Sequence, residues 1–270
     1  MSSMASINRN KLNHLFKDPP IEGILTMPWL KKHGISKKLA WWYVHSGWLA
    51  RIHSGAYHFT GRPISLLNGV ATLQNQLALS VHIGGKTALQ LLGFAHYLPF
   101  ELKQVVLFAP PTTKLPSWFN HVAQNDMTYT ITATKLFNEI KTIDTLVRRA
   151  VEGVEMLLSC PERAIMEVLH QVLQSEQYEE AYLLMQNLTQ VRPHVLQILL
   201  EHCNSIKVKR LFLYLAKLCG HTWLAQIEMA HISLGRGKRV IAEGGTYDPE
   251  YQLSVPILMD QGYNSQKLAE

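Results

Sequence analysis

Cysteine is scarce in this sequence. Only Cys160, Cys203 and Cys219 occur, an odd number with no CxxC spacing. That arithmetic argues against a disulfide framework and a zinc module, so a reduced, cytoplasmic protein is expected. Long apolar runs are missing too. No stretch approaches the ~18 residues of a membrane span, and Met1 to Asn10 lacks the apolar core of a secretory signal. No internal repeat or low-complexity tract is present. With 47% apolar and 17% charged residues, the composition is that of a globular protein and not of a disordered or coiled-coil chain. A length of 270 residues suits about two domains.

Acidic residues are few at the start. Residues 1–62 hold nine Lys and Arg against Asp18 and Glu22, a net +7, whereas residues 151–204 carry −6 and residues 205–239 return to +6. A charge run is ordinarily a solvated surface. The first block, however, coincides with a pattern that gives it meaning. Pro28 suits the first turn of a helix, Gly34 ends that helix, and Ser36 can cap the next. Ala40, Tyr43 and Val44 then mark one apolar face, and Gly47 closes the second helix. Trp48 to Ile52, His53-Ser54-Gly55 and Ala56 to Phe59 read as strand, turn and strand.

Helix, turn, helix and basic hairpin is the order of a winged helix-turn-helix, which sets one helix in the DNA major groove. With Ala40, Tyr43 and Val44 buried, Lys37, Lys38, Trp41, Trp42 and His45 are expected to face double-stranded DNA. Arg51 and His53 on the wing are expected to approach its backbone or minor groove. For either tryptophan, packing against the first helix is the alternative.

A short helix around Asn8 to Lys17 precedes this unit, broken by Pro19-Pro20. Gly61-Arg62-Pro63 is a turn cluster and the expected boundary. Beyond it, Ile64 to Leu79 and Lys86 to Leu92 read as helices, and Val105 to Phe108 as a short buried strand stopped by Pro110-Pro111. Met127 to Lys135 alternates like a strand with one polar face. Pro161-Glu162 opens a helix, and others are expected at about 176–189, 193–203 and 205–218. Ile232 to Leu234, Arg239 to Ile241 and Leu253 to Val255 are strand candidates. The expected fold class is α+β. A winged helix-turn-helix over 1–62 is followed by a larger mixed α/β domain over 63–270, with a sub-boundary near 150–160.

Motifs for catalysis are lacking. Ile83-Gly84-Gly85-Lys86-Thr87 resembles half of a phosphate-binding loop. Ser80 stands where the full pattern needs glycine, and the preceding run reads as helix, not strand. Thirteen histidines make no HExxH. His202, Cys203, Cys219 and His221 bracket a helix whose ends lie ~20 Å apart. No nucleophile frame such as GxSxG occurs. No metal, no cofactor and no enzymatic activity are therefore expected.

Two basic sites remain in the second half. Lys207, Arg210, Tyr214 and Lys217 share one helix face by spacing, opposite Leu211, Leu215 and Leu218. Arg236, Lys238 and Arg239 lie on a glycine-flexible turn. Either site could bind phosphate or an acidic partner. An ordinary wet helix face and a hairpin turn remain open for both.

Ile35-Ser36 through Gly47-Trp48-Leu49, Gly55-Ala56-Tyr57 and Gly84 to Leu89 resemble the N-terminal domain of AbiEi-type antitoxins. Cys160-Pro161-Glu162-Arg163-Ala164, Val208 to Leu213, Leu234 to Arg239, Gly244-Gly245-Thr246-Tyr247 and Val255-Pro256 resemble that family's C-terminal domain. The resemblance implies a regulator that represses its own operon and neutralises a nucleotidyltransferase toxin encoded alongside. It leaves oligomeric state and toxin contacts open. The expectation from a different class is a nucleic-acid-modifying enzyme or nuclease component, delivered to its substrate by the winged helix.

Overall fold

A computed structural model describes residues 11–95, 102–122, 127–140, 143–241 and 245–257. The chain forms two compact units. One combines Met1–His82, Glu101–Ala133 and Arg148–Leu158; the other combines Ile83–Phe100, Thr134–Val147 and Ser159–Glu270.

The first unit opens with helix α1 (11–17), β1 (Ile24–Thr26), α2 (Met27–Lys32), α3 (Lys37–His45), β2 (Leu49–His53) and β3 (Ala56–Phe59). The strands form an antiparallel sheet in the order β1-β3-β2, with Leu25 opposite Tyr57 and Ala50 opposite His58. Three helices against this small sheet make a winged helix. Leu12, Leu15, Leu30, Ile35, Tyr43 and Phe59 fill its core. Complete burial of each such side chain contributes roughly 1.5–3 kcal/mol. Strand β1 was not expected from the sequence; three residues are too few to display a period.

Helix α4 (Leu66–Asn75) follows, capped reciprocally by Ser65 and Asn68. It ends four residues before the apolar spacing suggests. The Leu77 N–H turns back to the Thr72 carbonyl at 3.2 Å, and Ala78 takes a positive φ of 49°. Next along the chain come β4 (His82–Ile83), α5 (Gly85–Leu91), which belongs to the second unit, β5 (Gln104–Ala109), α6 (Phe119–Val122), β6 (Thr128–Ala133), β7 (Leu146–Val151) and β8 (Val154–Ser159). A five-stranded sheet has the order β6-β5-β4-β8-β7.

Strand β5 is buried at every position after Gln104, as its continuous apolar run requires. It pairs in parallel with β6, an edge strand on which Ile131 remains 37% exposed. The pair β7 and β8 went unseen in the sequence because Arg148 and Arg149 interrupt any hydrophobic alternation. Glu152 and Gly153, at φ of 52° and 80°, join these two strands. Two successive positive φ values are what a two-residue hairpin turn needs.

Three consecutive amides at the end of α4 tie this unit together. Gln74 bonds across to Leu157 in both directions, its Oε1 accepting the Leu157 N–H at 2.8 Å and its Nε2 donating to the Leu157 carbonyl at 3.1 Å. Asn75 donates to the Glu155 carbonyl at 3.1 Å. Gln76 donates to the Ile24 carbonyl at 2.7 Å, and its Oε1 accepts from the Thr26 hydroxyl at 2.9 Å. One helix end thus anchors both the winged helix and strand β8.

The second unit contains α7 (Pro161–Gln171), α8 (Ser175–Gln186), α9 (Pro193–His202) and α10 (Ile206–Leu218). Their core includes Leu169, Tyr178, Leu184, Leu199, Leu211 and Phe212, each with no measurable exposure. A small sheet, β10-β11-β9, is built from β9 (Arg239–Val240), β10 (Thr246–Asp248) and β11 (Leu253–Val255). Gly245 leads into it for a steric reason: a Cβ there would lie 1.9 Å from the Val255 carbonyl oxygen. Ile232-Ser233-Leu234, expected as a strand, is irregular chain after the short 3-10 turn Met229–His231. The Leu234 carbonyl instead accepts from Arg210 at 2.8 Å.

Candidate nucleic-acid interface

Local chemistry builds the helix-turn-helix. The Thr26 hydroxyl caps α2 by accepting the Trp29 N–H at 3.3 Å, with Pro28 in the first turn where a lost N–H is harmless. Gly34 adopts φ 72°, and the Ile35 N–H returns to the Leu30 carbonyl at 2.9 Å. A glycine in this left-handed conformation ends the helix while satisfying its last carbonyls. Ser36 then caps α3, accepting the Leu39 N–H at 3.2 Å; losing such a cap typically costs ~1 kcal/mol. Ala40 and Tyr43 are buried and Val44 half-buried.

The opposite surface of α3 exposes Lys37, Lys38, Trp41, Trp42 and His45. Trp41 and Trp42 stay 58% and 47% exposed, so neither is consumed by packing against α2. Each has an intramolecular ring neighbour. His45 lies over Trp41 at a centroid distance of 3.7 Å, and Trp42 meets Tyr43 edge-on at 5.6 Å. Trp48 was not singled out in the sequence, yet it is 47% exposed just after the helix. Between Glu22 and Asp126 the chain contains one carboxylate, Glu101, against Lys31, Lys32, Lys37, Lys38, Arg51, Arg62, Lys86, Lys103 and Lys114. A segment so poor in carboxylates gives its exposed lysines and arginines a net positive charge that favours polyanions, although Lys86, in the second unit, pairs with Glu180 at 3.4 Å.

On the wing, Arg51 is exposed and His53 half-buried. His53 is not a bare wing residue. Its ring stacks on His121 at 4.1 Å and 10°, and its Nδ1 is hydrogen-bonded to the Ser117 hydroxyl at 3.2 Å. Those partners lie more than sixty positions away, and no local pattern announces them.

A cleft of about 510 Å³ lies beside α2, lined by residues that include Pro19, Ile21, Trp29, Lys32 and His33. Glu22, also in its lining, accepts hydrogen bonds from the Asn75 amide at 3.0 Å and the Gln76 amide at 3.3 Å. That carboxylate is already satisfied by the fold.

The expected basic face of α10 is largely absorbed into the structure. Arg210 is 2% exposed and donates to four backbone carbonyls, those of Leu234, Gly235, Gly237 and Gln252. Lys207 donates to the His170 and Val172 carbonyls at 3.3 and 2.8 Å, closing the C-terminal end of α7. Burial lowers its pKa. Lys217 is exposed but pairs with Glu250. Equal spacing along a helix therefore did not make one wet face, because neighbouring segments cover α10 on nearly every side. On the turn, Arg236 and Lys238 are exposed and Arg239 half-buried. Arg239 donates to the carbonyls of Arg236 and Lys238, and Lys238 lies over the Tyr247 ring at 5.0 Å.

Comparison with known proteins assigns the family. A family model described as "Transcriptional regulator, AbiEi antitoxin, Type IV TA system" matches residues 102–256. A second, "Transcriptional regulator, AbiEi antitoxin N-terminal domain", matches residues 8–100. The chain belongs to the AbiEi antitoxin family. It is a transcriptional regulator and antitoxin of the type IV toxin–antitoxin class. This AbiEi chain shares its fold with the RV2827C protein of Mycobacterium tuberculosis, with a TM-score of 0.60 at 16% identity over 94% of this chain and 93% of that one. No curated protein matches it.

Within this AbiEi chain the half phosphate loop has an internal occupant. A short buried strand, β4, does precede it, contrary to the helical expectation. The Gly85 N–H donates to the carboxylate of Glu167 at 3.0 Å. Glu167 is 1% exposed and also accepts from Ser159 at 2.8 Å and Arg163 at 2.8 Å. A buried carboxylate already satisfies the amide that a phosphate would need.

The His202, Cys203, Cys219 and His221 cluster does not assemble. His202 bonds to the Ile198 carbonyl and His221 to the Met185 carbonyl. Among the described residues no group of three His, Cys, Asp or Glu is placed to hold a metal, and no helix is long and apolar enough to cross a membrane. Burial, ahead of the neighbouring Glu162, pushes the Cys160 thiol up to about 12.

Proposed function

We propose that this regulator is a DNA-binding repressor of its own operon, with α3 as the recognition helix. The observation that carries this reading is an exposed face of two lysines, two tryptophans and a histidine on the second helix of a winged helix, within a chain segment nearly free of carboxylates. Lys37 and Lys38 suit guanine edges or phosphates, whereas Trp41 and Trp42 offer flat apolar surface to sugars or thymine methyls. Residues 1–62 would supply DNA binding and 63–270 the antitoxin activity. Binding of a duplex from the promoter upstream of its own gene, measured by mobility shift across a salt series, tests the assignment. Lys37→Ala/Lys38→Ala should weaken binding and reduce the log–log salt slope by ~0.9 for each phosphate no longer neutralised. Unchanged affinity and slope would remove α3 from the interface.

The antitoxin function is proposed to act on a nucleotidyltransferase toxin encoded alongside. Carboxylates that hold divalent metal make the active-site cleft of such a toxin acidic, and the turn bearing Arg236, Lys238 and Arg239 complements it. The observations favour this turn over α10, where Arg210 and Lys207 have internal partners. Replacing Arg236, Lys238 and Arg239 by Glu should abolish protection in cells producing the toxin while leaving promoter affinity nearly intact. Full protection with lost promoter affinity would move the turn to DNA instead.

A further inference from the structure

We infer that the segment 117–121 belongs to the DNA-binding apparatus as the support of the wing, with His121 and Ser117 acting as positioning residues for Arg51. The inference deepens the DNA-binding reading above and rests on it.

Strand β2 is an edge of the three-stranded sheet, and a wing must hold its cation at one position relative to α3. Here β2 ends at His53, whose ring stacks on His121 and whose Nδ1 is bonded to Ser117. The register with β3 shifts between Arg51 and His53, an irregularity of the kind that re-aims a side chain. Arg51 in turn donates its Nε to the His53 carbonyl at 3.3 Å. That bond commits only Nε and leaves the two terminal nitrogens for a phosphate, which an arginine fork can grip in two places. The orientation of the exposed guanidinium therefore depends on His53, and that of His53 on Ser117 and His121.

The support is itself firmly seated. Phe119, between the two supporting residues, is fully buried against Gly69 of α4, where a Cβ would stand 3.1 Å from the ring. Trp118 is 3% exposed. From Leu102 to Val122 the segment carries Lys103 and Lys114 and no carboxylate, so nothing in it repels a phosphate near Arg51. The chain's division agrees: these residues fall in the 102–256 match and the wing in the 8–100 match, yet both fold into one compact unit.

The test uses the full-length chain and a duplex from its own promoter, with Arg51→Ala, His121→Ala, Ser117→Ala and the paired variants. His121→Ala should weaken binding about tenfold and lower the salt slope by ~0.9, the signature of one phosphate released from the protein. Combined with Arg51→Ala it should add almost nothing, because both changes free the same phosphate. His121→Phe, which keeps a stacking ring, should restore most of the affinity. Ser117→Ala, at an exposed position, should give a smaller loss in the same direction without disturbing the fold. If Lys37→Ala/Lys38→Ala abolishes binding while the His121 and Ser117 variants match the parent, the wing support is refuted and the recognition helix stands. Additive loss with Arg51→Ala, or failure of His121→Phe to rescue, likewise refutes it. A parent chain that binds no DNA overturns both readings.

Discussion

Arg210 offers the sharpest test of how the second unit is held. Its guanidinium sits in the interior at 2% exposure, with Nε 2.8 Å from the Leu234 carbonyl, Nη1 2.6 Å from Gly237 and 3.2 Å from Gln252, and Nη2 3.2 Å from Gly235. Hydrogen bonds to a charged donor contribute roughly 1.5–3 kcal/mol each. Four would sum to ~6–12 kcal/mol, but that sum ignores the several kcal/mol spent in desolvating the guanidinium. The net loss expected for Arg210→Ala is therefore ~3–5 kcal/mol, near the upper end for single substitutions. Arg210→Met keeps much of the volume and removes the donors, and should cost ~2–4 kcal/mol. Arg210→Lys keeps the charge but cannot reach four carbonyls from one nitrogen, so it should fall close to Met.

Urea unfolding followed by far-UV circular dichroism measures the totals. At ~2–4 °C per kcal/mol, Arg210→Ala should lower Tm by about 6–20 °C. A local readout exists as well. The Arg239 and Ile241 amides donate to the Gln252 and Ser254 carbonyls, and their hydrogen-exchange protection should collapse in all three variants. An Arg210→Met protein within ~0.5 kcal/mol of the parent, with protection at Arg239 and Ile241 intact, would refute the reasoning.

Other outcomes follow from neighbouring features. Glu162 is 2% exposed; burial alone would raise its pKa, but three donations from Arg192 outweigh it and hold the carboxyl below its ordinary value. A depressed folded pKa gives stability that is present above the unfolded value and lost as pH falls through the folded one, so acid should destabilise the parent more steeply than Glu162→Gln in melts from about pH 6 to about pH 3. Gly245→Ala should destabilise by ~2–4 kcal/mol, because its Cβ would collide with rigid backbone at Val255, and a melt equal to the parent's would show that β10 can shift. A fragment ending between Arg62 and Leu79 should bind promoter DNA weakly and give no protection from toxin; full protection would mean the two functions are assigned to the wrong regions. It should also unfold more easily than the same residues in the full chain, since it lacks the Ser117, Glu155 and Leu157 partners of His53 and α4.

Much of the winged helix was legible because its determinants are local. A capping hydroxyl reaches three residues, as Ser36 reaches Leu39, and a glycine at positive φ ends a helix wherever it stands. Apolar spacing of three and four gave the buried face of α3, and with it the exposed lysines and tryptophans. The same local rules located the start of α7 and both ends of α8 to α10 to within a few positions. They misread the basic face of α10. Spacing ranks residues around a helix axis but cannot say how many sides will be covered. That depended on segments 24 to 42 positions away, whose carbonyls needed donors and took them from Arg210.

The same limit hid the strands β7 and β8, the Glu167 carboxylate on the Gly85 amide, and the docking of His53 on His121. By itself, the sequence determined where α2 and α3 begin and stop and which helix presents basic and aromatic groups, because those features are settled within one or two turns of chain. Only the tertiary structure decided which cations stay available to a partner. Burial and hydrogen-bond satisfaction belong to pairs of groups brought together from distant parts of the chain.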